Sequence, residues 1–150
     1  AITHDDLRWA RCDWKTLNIL GAVLARQAAS EAGATEAILV RDGVVTEGAA
    51  TTVFAVVDDV VRTHPPGHQI LPGVTRDVVI ACAHERGIAL REHAVTLEEL
   101  RGAQEIFLCG TTTDVTPVVQ LDGAPVGDGT PGPITRQLRA ALEVRLYATS

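Results

Sequence analysis

Glu36-Ala37-Ile38-Leu39-Val40-Arg41-Asp42-Gly43-Val44-Val45-Thr46-Glu47 is the stretch that decides the fold. Two runs rich in β-branched residues flank Asp42-Gly43, a pair that tolerates the positive φ of a tight hairpin turn. Residues 36–41 are therefore expected as a strand and 44–47 as its antiparallel return, ending at Glu47. Downstream, residues 51–57 and 60–63 make a second hairpin around Asp58-Asp59, and His64-Pro65-Pro66-Gly67-His68 must be loop. Upstream, Leu17, Leu20, Ala22, Val23, Leu24, Ala28 and Ala29 recur at helical spacing until Gly33 closes the run. Further on come a helix over 74–86 capped by Gly87, a strand over 88–93, and Thr96-Leu97-Glu98-Glu99, a capping box that opens a short helix. Residues 105–109 form a strand running into Gly110-Thr111-Thr112-Thr113-Asp114, and 115–121 return to a turn at Asp122-Gly123. Pro131-Gly132-Pro133 then breaks the chain before a closing helix over 134–146. Hairpins with interleaved helices indicate one mixed α/β (α+β) domain over residues 1–150, mostly antiparallel, rather than a series of parallel βαβ units.

Composition narrows the function classes. With 150 residues and 46% hydrophobic content the chain can bury a core of its own. Its formal charge is −6 and its twelve arginines are scattered, which argues against nucleic acid as a partner. No apolar run approaches the ~20 residues that span a bilayer, and no leader resembles a signal peptide, so no membrane partner and a soluble cytoplasmic protein are expected. Cys12, Cys82 and Cys109 have neither metal-ligand spacing nor a Cys-x-x-Cys pair. They are expected as buried small hydrophobes, and no metal site is expected.

Against twelve arginines there is a single lysine, Lys15, within Arg8-Trp9-Ala10-Arg11-Cys12-Asp13-Trp14-Lys15-Thr16-Leu17-Asn18. Arginine replaces lysine wherever only positive charge is needed, but a guanidinium cannot act as a nucleophile. An ε-amine can lose its proton when partly buried and attack a carbonyl to form a Schiff base. Two further segments suit an anion: Gly73-Val74-Thr75 at a helix start, where free N–H groups and the helix dipole favour phosphate, and Gly110-Thr111-Thr112 at a strand end. Each is ordinary alone, as is Glu47 before a glycine. Together, a Schiff-base amine, two phosphate-cradling turns and a carboxylate are the parts needed to hold pyridoxal 5'-phosphate.

Four blocks in order carry a family resemblance: Arg8-Trp9-x-Arg11-Cys12-Asp13-x-Lys15-x-Leu17-Asn18, Thr46-Glu47-Gly48, Leu71-x-Gly73-Val74-Thr75-Arg76-Asp77, and Gly110-Thr111-Thr112-x-Asp114-Val115-Thr116-Pro117-Val118. They span nearly the whole chain, which resembles the fold-type IV pyridoxal-phosphate enzymes, or class IV aminotransferases, and most closely those acting on D-amino acids. The resemblance implies that Lys15 is the Schiff-base and catalytic lysine, that Glu47 pairs with the pyridine nitrogen, that Val74, Thr75 and Thr111 hold the phosphate, and that Leu71 packs on the ring. It implies transamination between a D-amino acid and a 2-oxo acid, with Lys15 moving the proton. It also implies a homodimer.

The sequence departs from the family in three ways. Ala49-Ala50-Thr51-Thr52 stands where members with D-amino-acid activity commonly carry serines and an asparagine, so some hydroxyl groups near the cofactor are missing. Trp14 is bulkier than the expected aliphatic residue and is expected to pack in the core. The family's N-terminal domain, which supplies an arginine to the phosphate and traps the substrate carboxylate, does not precede these motifs. The chain also has no methionine and begins at Ala1. It is accordingly expected to be the C-terminal domain of a longer aminotransferase, inactive alone. Branched-chain transamination, an aminodeoxychorismate lyase activity on the same fold and a non-catalytic truncated domain are the alternatives.

Overall fold

Side-chain alternation along the strands sorts the apolar residues into three cores, and the layering follows from it. The computed structural model describes residues 1–147. The first sheet contains β1 (Ile2–Asp5), β2 (Ala37–Arg41) and β3 (Val44–Gly48), in that order. Its β2–β3 hairpin turns at Asp42 and Gly43, both at positive φ, 52° and 77°. The second sheet contains β4 (Thr52–Val57), β5 (Val60–Thr63), β6 (Leu90–Glu92), β7 (Glu105–Gly110) and β8 (Asp114–Val118), in the order β6-β5-β4-β7-β8. A small hairpin, β9 (Gln120–Leu121) with β10 (Ala124–Pro125), follows. The helices are α1 (Leu20–Glu31), α2 (Val74–Glu85), α3 (Leu97–Arg101) and α4 (Pro133–Tyr147).

On β2, Ala37 and Leu39 cluster with Ala25 and Ala29 of α1, whereas Ile38 clusters with Val53, Ala55, Ile106 and Leu108 of the second sheet. On β4, Phe54 and Val56 join Val79 and Cys82 of α2 and Leu138 and Leu142 of α4. The layers thus run helix, sheet, sheet, helix pair, each face buried by period-2 alternation. Phe54 and Phe107 sit opposite each other across β4 and β7 and stack at 4.9 Å.

Most expected elements are present at nearly the expected bounds, and the differences have local causes. The first helix begins at Leu20, so Leu17 lies outside it and is exposed. The strand over 115–121 is broken at Val119 into β8 and β9; β8 is a sheet edge, where Pro117 costs no ladder hydrogen bond. The strand over 88–93 shrinks to the three residues of β6. Short, polar β1 had no periodic signal. It pairs in parallel with β2 across α1, as β5 does with β6 across α2, while the other strand pairs are antiparallel. The capping box forms, with the Thr96 side chain accepting from the Glu99 N–H and the Glu99 side chain from the Thr96 N–H. The start of α4 is capped from a distance instead, since the Glu105 carboxylate of β7 accepts the Ile134 and Thr135 N–H groups at 3.0 and 2.8 Å.

Candidate active site

The loop before α1, the end of β3, the segment leading into α2 and the β7–β8 turn surround one cavity of about 940 Å³. Lys15, Glu47, Leu71, Val74, Thr75 and Thr111 all line it, although they come from segments far apart in sequence.

Lys15 lies in the irregular stretch between β1 and α1, whose shape is set by its neighbours. The Cys12 N–H donates to the His68 carbonyl at 2.8 Å, and the buried thiol donates to the Trp9 carbonyl. Arg11 pairs with Asp13 at 2.6 Å and lays its guanidinium over the Trp14 ring at 4.0 Å. Trp14 is half exposed, edge-on to Trp9 at 5.9 Å, and so does not pack in the core as expected. Lys15 itself is exposed on the cavity wall rather than partly buried.

Glu47 is buried, with 6% of its surface exposed. The Leu71 N–H donates to both of its oxygens, at 3.2 and 3.1 Å, and Arg8 Nη1 donates to Oε1. Burial pushes the carboxyl's pKa up, and the Arg8 charge opposes that rise. Behind Arg8 sits Asp6, whose side chain has no exposed surface. It accepts from Arg8 Nε and Nη2 at 2.8 Å each and from the Thr46 hydroxyl at 2.9 Å, with Arg41 Nη2 at 3.2 Å. Burial alone would raise the Asp6 pKa, but the Arg8 and Thr46 contacts win and hold it at about 2.

Opposite these groups, α2 begins at Val74 behind the N-cap Gly73, which has no side chain to accept from the first turn. The leading N–H groups of the helix are thus available at the cavity wall, where they suit an anion. Thr111 reaches the same cavity from the β7–β8 turn. Between β3 and β4, the Gly48 N–H donates to the Thr51 carbonyl at 2.7 Å. A Cβ on Gly48 would lie 2.1 Å from Thr51 Oγ1. The Thr51 hydroxyl donates to buried Glu36 at 3.1 Å, so it does not stand in for the hydroxyls that Ala49 and Ala50 lack. The cavity residue Cys109 is a buried thiol whose pKa burial pushes up to about 12. Among the described residues, no group of three or more His, Cys, Asp or Glu side chains is arranged to hold a metal ion.

Sequence reasoning gave no role to Arg8 and did not single out Asp6, Arg41 or Thr46. Arg8 lay inside the lysine block, but its partner Glu47 is 39 residues away and no local spacing joins them.

The family model for amino-transferase class IV matches residues 2–121. The chain belongs to the class IV aminotransferases. Within that family it is 48% identical over 143 residues to the D-alanine aminotransferase of Bacillus licheniformis, covering 95% of this chain and 50% of that protein. The corresponding enzyme of Staphylococcus haemolyticus is 46% identical over 150 residues, covering 100% of this chain and 53% of that protein. Among solved class IV structures, the Thermobaculum terrenum branched-chain amino acid aminotransferase in its PLP form superposes with a TM-score of 0.89 at 32% identity, covering 99% of this chain and 51% of that one. The branched-chain amino acid aminotransferase from Escherichia coli gives 0.84 at 35% identity, with 96% and 51% covered. The chain spans about half the length of the curated relatives it matches. Among the described residues, no helix is long and apolar enough to cross a membrane.

Proposed function

We propose that this class IV aminotransferase chain holds pyridoxal 5'-phosphate and carries the cofactor side of an active site that transaminates D-amino acids with 2-oxo acids. One observation carries the reading: the single lysine, a buried carboxylate, an uncapped helix start and Thr111 line the same cavity. The chemistry of that set fits the group. Lys15 would hold it covalently, Glu47 would accept from the ring nitrogen, the α2 N–H groups with Thr75 and Thr111 would take the phosphate, and Leu71 would cover the ring. When bound, the cofactor supplies an electron sink for the negative charge left on the substrate α-carbon. Lys15, once its amine is free, would take the proton from the substrate α-carbon and return it to the cofactor carbon on the far side of the substrate nitrogen, as base and then acid. Glu47, as an anion, keeps the ring nitrogen protonated.

Preference for D-amino acids rests on the higher identity to D-alanine aminotransferases than to the branched-chain structures, 48% against 35%. The fold likeness to branched-chain enzymes favours that activity as the second reading. The substrate carboxylate trap is assigned to a preceding N-terminal domain, the assembly to a homodimer and the location to the cytoplasm. Borohydride reduction of the complete protein with pyridoxal 5'-phosphate, followed by peptide mapping, is expected to label Lys15. Label on other amines with none on Lys15 would sink the reading. Paired assays with D- and L-amino acids decide between the two activities.

A further inference from the structure

Asp6 and Arg8 form a rigid fork behind Glu47. Arg8 Nε meets Asp6 Oδ1 and Nη2 meets Oδ2, both at 2.8 Å, a side-on bidentate pair that fixes the plane of the guanidinium. Nη2 is held further by the Gln69 carbonyl at 3.0 Å. Only Nη1 is left outside this fork, and it donates to Glu47 Oε1. The groups facing Glu47 are Arg8 and Asp6 from the segment after β1, Cys12 from the loop that follows, Arg41 behind Asp6 on β2, and the Leu71 N–H, with Lys15 and Arg76 elsewhere on the cavity wall. Two carboxylates and two guanidinium groups balance within this cluster, so removing Arg8 takes a positive charge from the surroundings of Glu47 and removing Asp6 takes a negative one.

We infer that Arg8 and Asp6 are positioning residues that set the protonation state of Glu47, Asp6 by fixing the guanidinium and Arg8 by holding Glu47 as the carboxylate that partners the cofactor ring nitrogen. The role rests on the cofactor reading above. Without Arg8, two buried carboxylates share Arg41, which contacts Asp6, so Glu47 is the one that takes a proton. Without the Asp6 charge, Glu47 keeps Arg8 and loses a like charge, and becomes more acidic. A purely structural role would shift both variants alike or not at all.

The test follows the Glu47 carboxyl by carbon-13 NMR against pH in the complete, cofactor-free protein, with Glu47→Gln to assign the signal. Arg8→Gln is expected to raise the titration midpoint by about one pH unit or more, Arg8→Lys by less, and Asp6→Asn to lower it. In the loaded protein, the pH midpoint of the visible cofactor band is expected to move in the same opposite directions. Shifts of one sign, or none, overturn the inference. If Arg8→Gln does not fold, Arg8→Lys and Asp6→Asn must still move the midpoint oppositely. Borohydride label on Lys15 with unmoved midpoints defeats this inference alone; opposed midpoints without Lys15 label defeat the cofactor reading alone.

Discussion

At the scale of single residues, the buried carboxylates divide the work. Glu47→Gln preserves shape but cannot keep a ring nitrogen charged, so cofactor affinity in the complete protein should stay near wild type while the half-reaction slows by on the order of tenfold or more. Stopped-flow absorbance checks this, and unchanged turnover would reduce Glu47 to a packed strand end. Asp6 bears on stability as well. Its folded pKa of about 2 lies below the ordinary 3.8, so its contribution is present above pH 4 and is lost as pH falls from about 4 to about 2. The difference is worth about 2 kcal/mol. Glu47 works the other way, its raised pKa favouring the fold toward acid. Urea unfolding at stepped pH should therefore show Asp6→Asn lacking part of the wild type's loss between pH 4 and 2; identical slopes would contradict this. Lys15 was legible because it is the only lysine. Asp6 was not, because its meaning depends on Thr46, 40 residues on, and on a sheet that brings them together.

At the scale of elements, legibility followed the locality of the cause. Hairpins with Asp-Gly or Asp-Asp turns and the Thr96–Glu99 capping box are decided within a few residues, and both formed as read. β1 and the distant cap on α4 by Glu105 are tertiary, and nothing local announces them. The β3–β4 connection has the tightest fit near the site. Gly48→Ala must displace Thr51, whose hydroxyl is tied to Glu36 and whose carbonyl takes the Gly48 N–H. We expect a loss of about 1–3 kcal/mol from this overpacking, measured by chemical denaturation. Because Glu47 is the adjacent residue, cofactor affinity should fall as well. Wild-type stability would mean the turn yields freely.

At the scale of the molecule, one side stays apolar in the open. Leu17 is 96% exposed, and Ile19, Leu20, Val23 and Leu24 are each at least half exposed along the start of α1, beside the cavity that Ile19 and Val23 also line. The mean hydropathy of the sequence is positive, and the fold gathers part of that apolar content on this exposed face of α1. Residues 1–150 purified alone should self-associate through it, and Leu20→Glu with Leu24→Glu should raise the dissociation constant at least tenfold while leaving the unfolding midpoint near wild type, since both side chains already face outward. Sedimentation velocity reads the outcome; a monodisperse monomer at high concentration would refute it. The single lysine and the burial of all three thiols also make residues 1–150 a convenient labelling reagent. Maleimide chemistry will register only chains that have opened, whereas an amine-directed dye reaches Lys15 at the cavity wall, along with the Ala1 amine, in chains that remain folded. Thiol and amine labelling then give two independent optical reports, one of global unfolding and one of how freely Lys15 can be reached in the cavity.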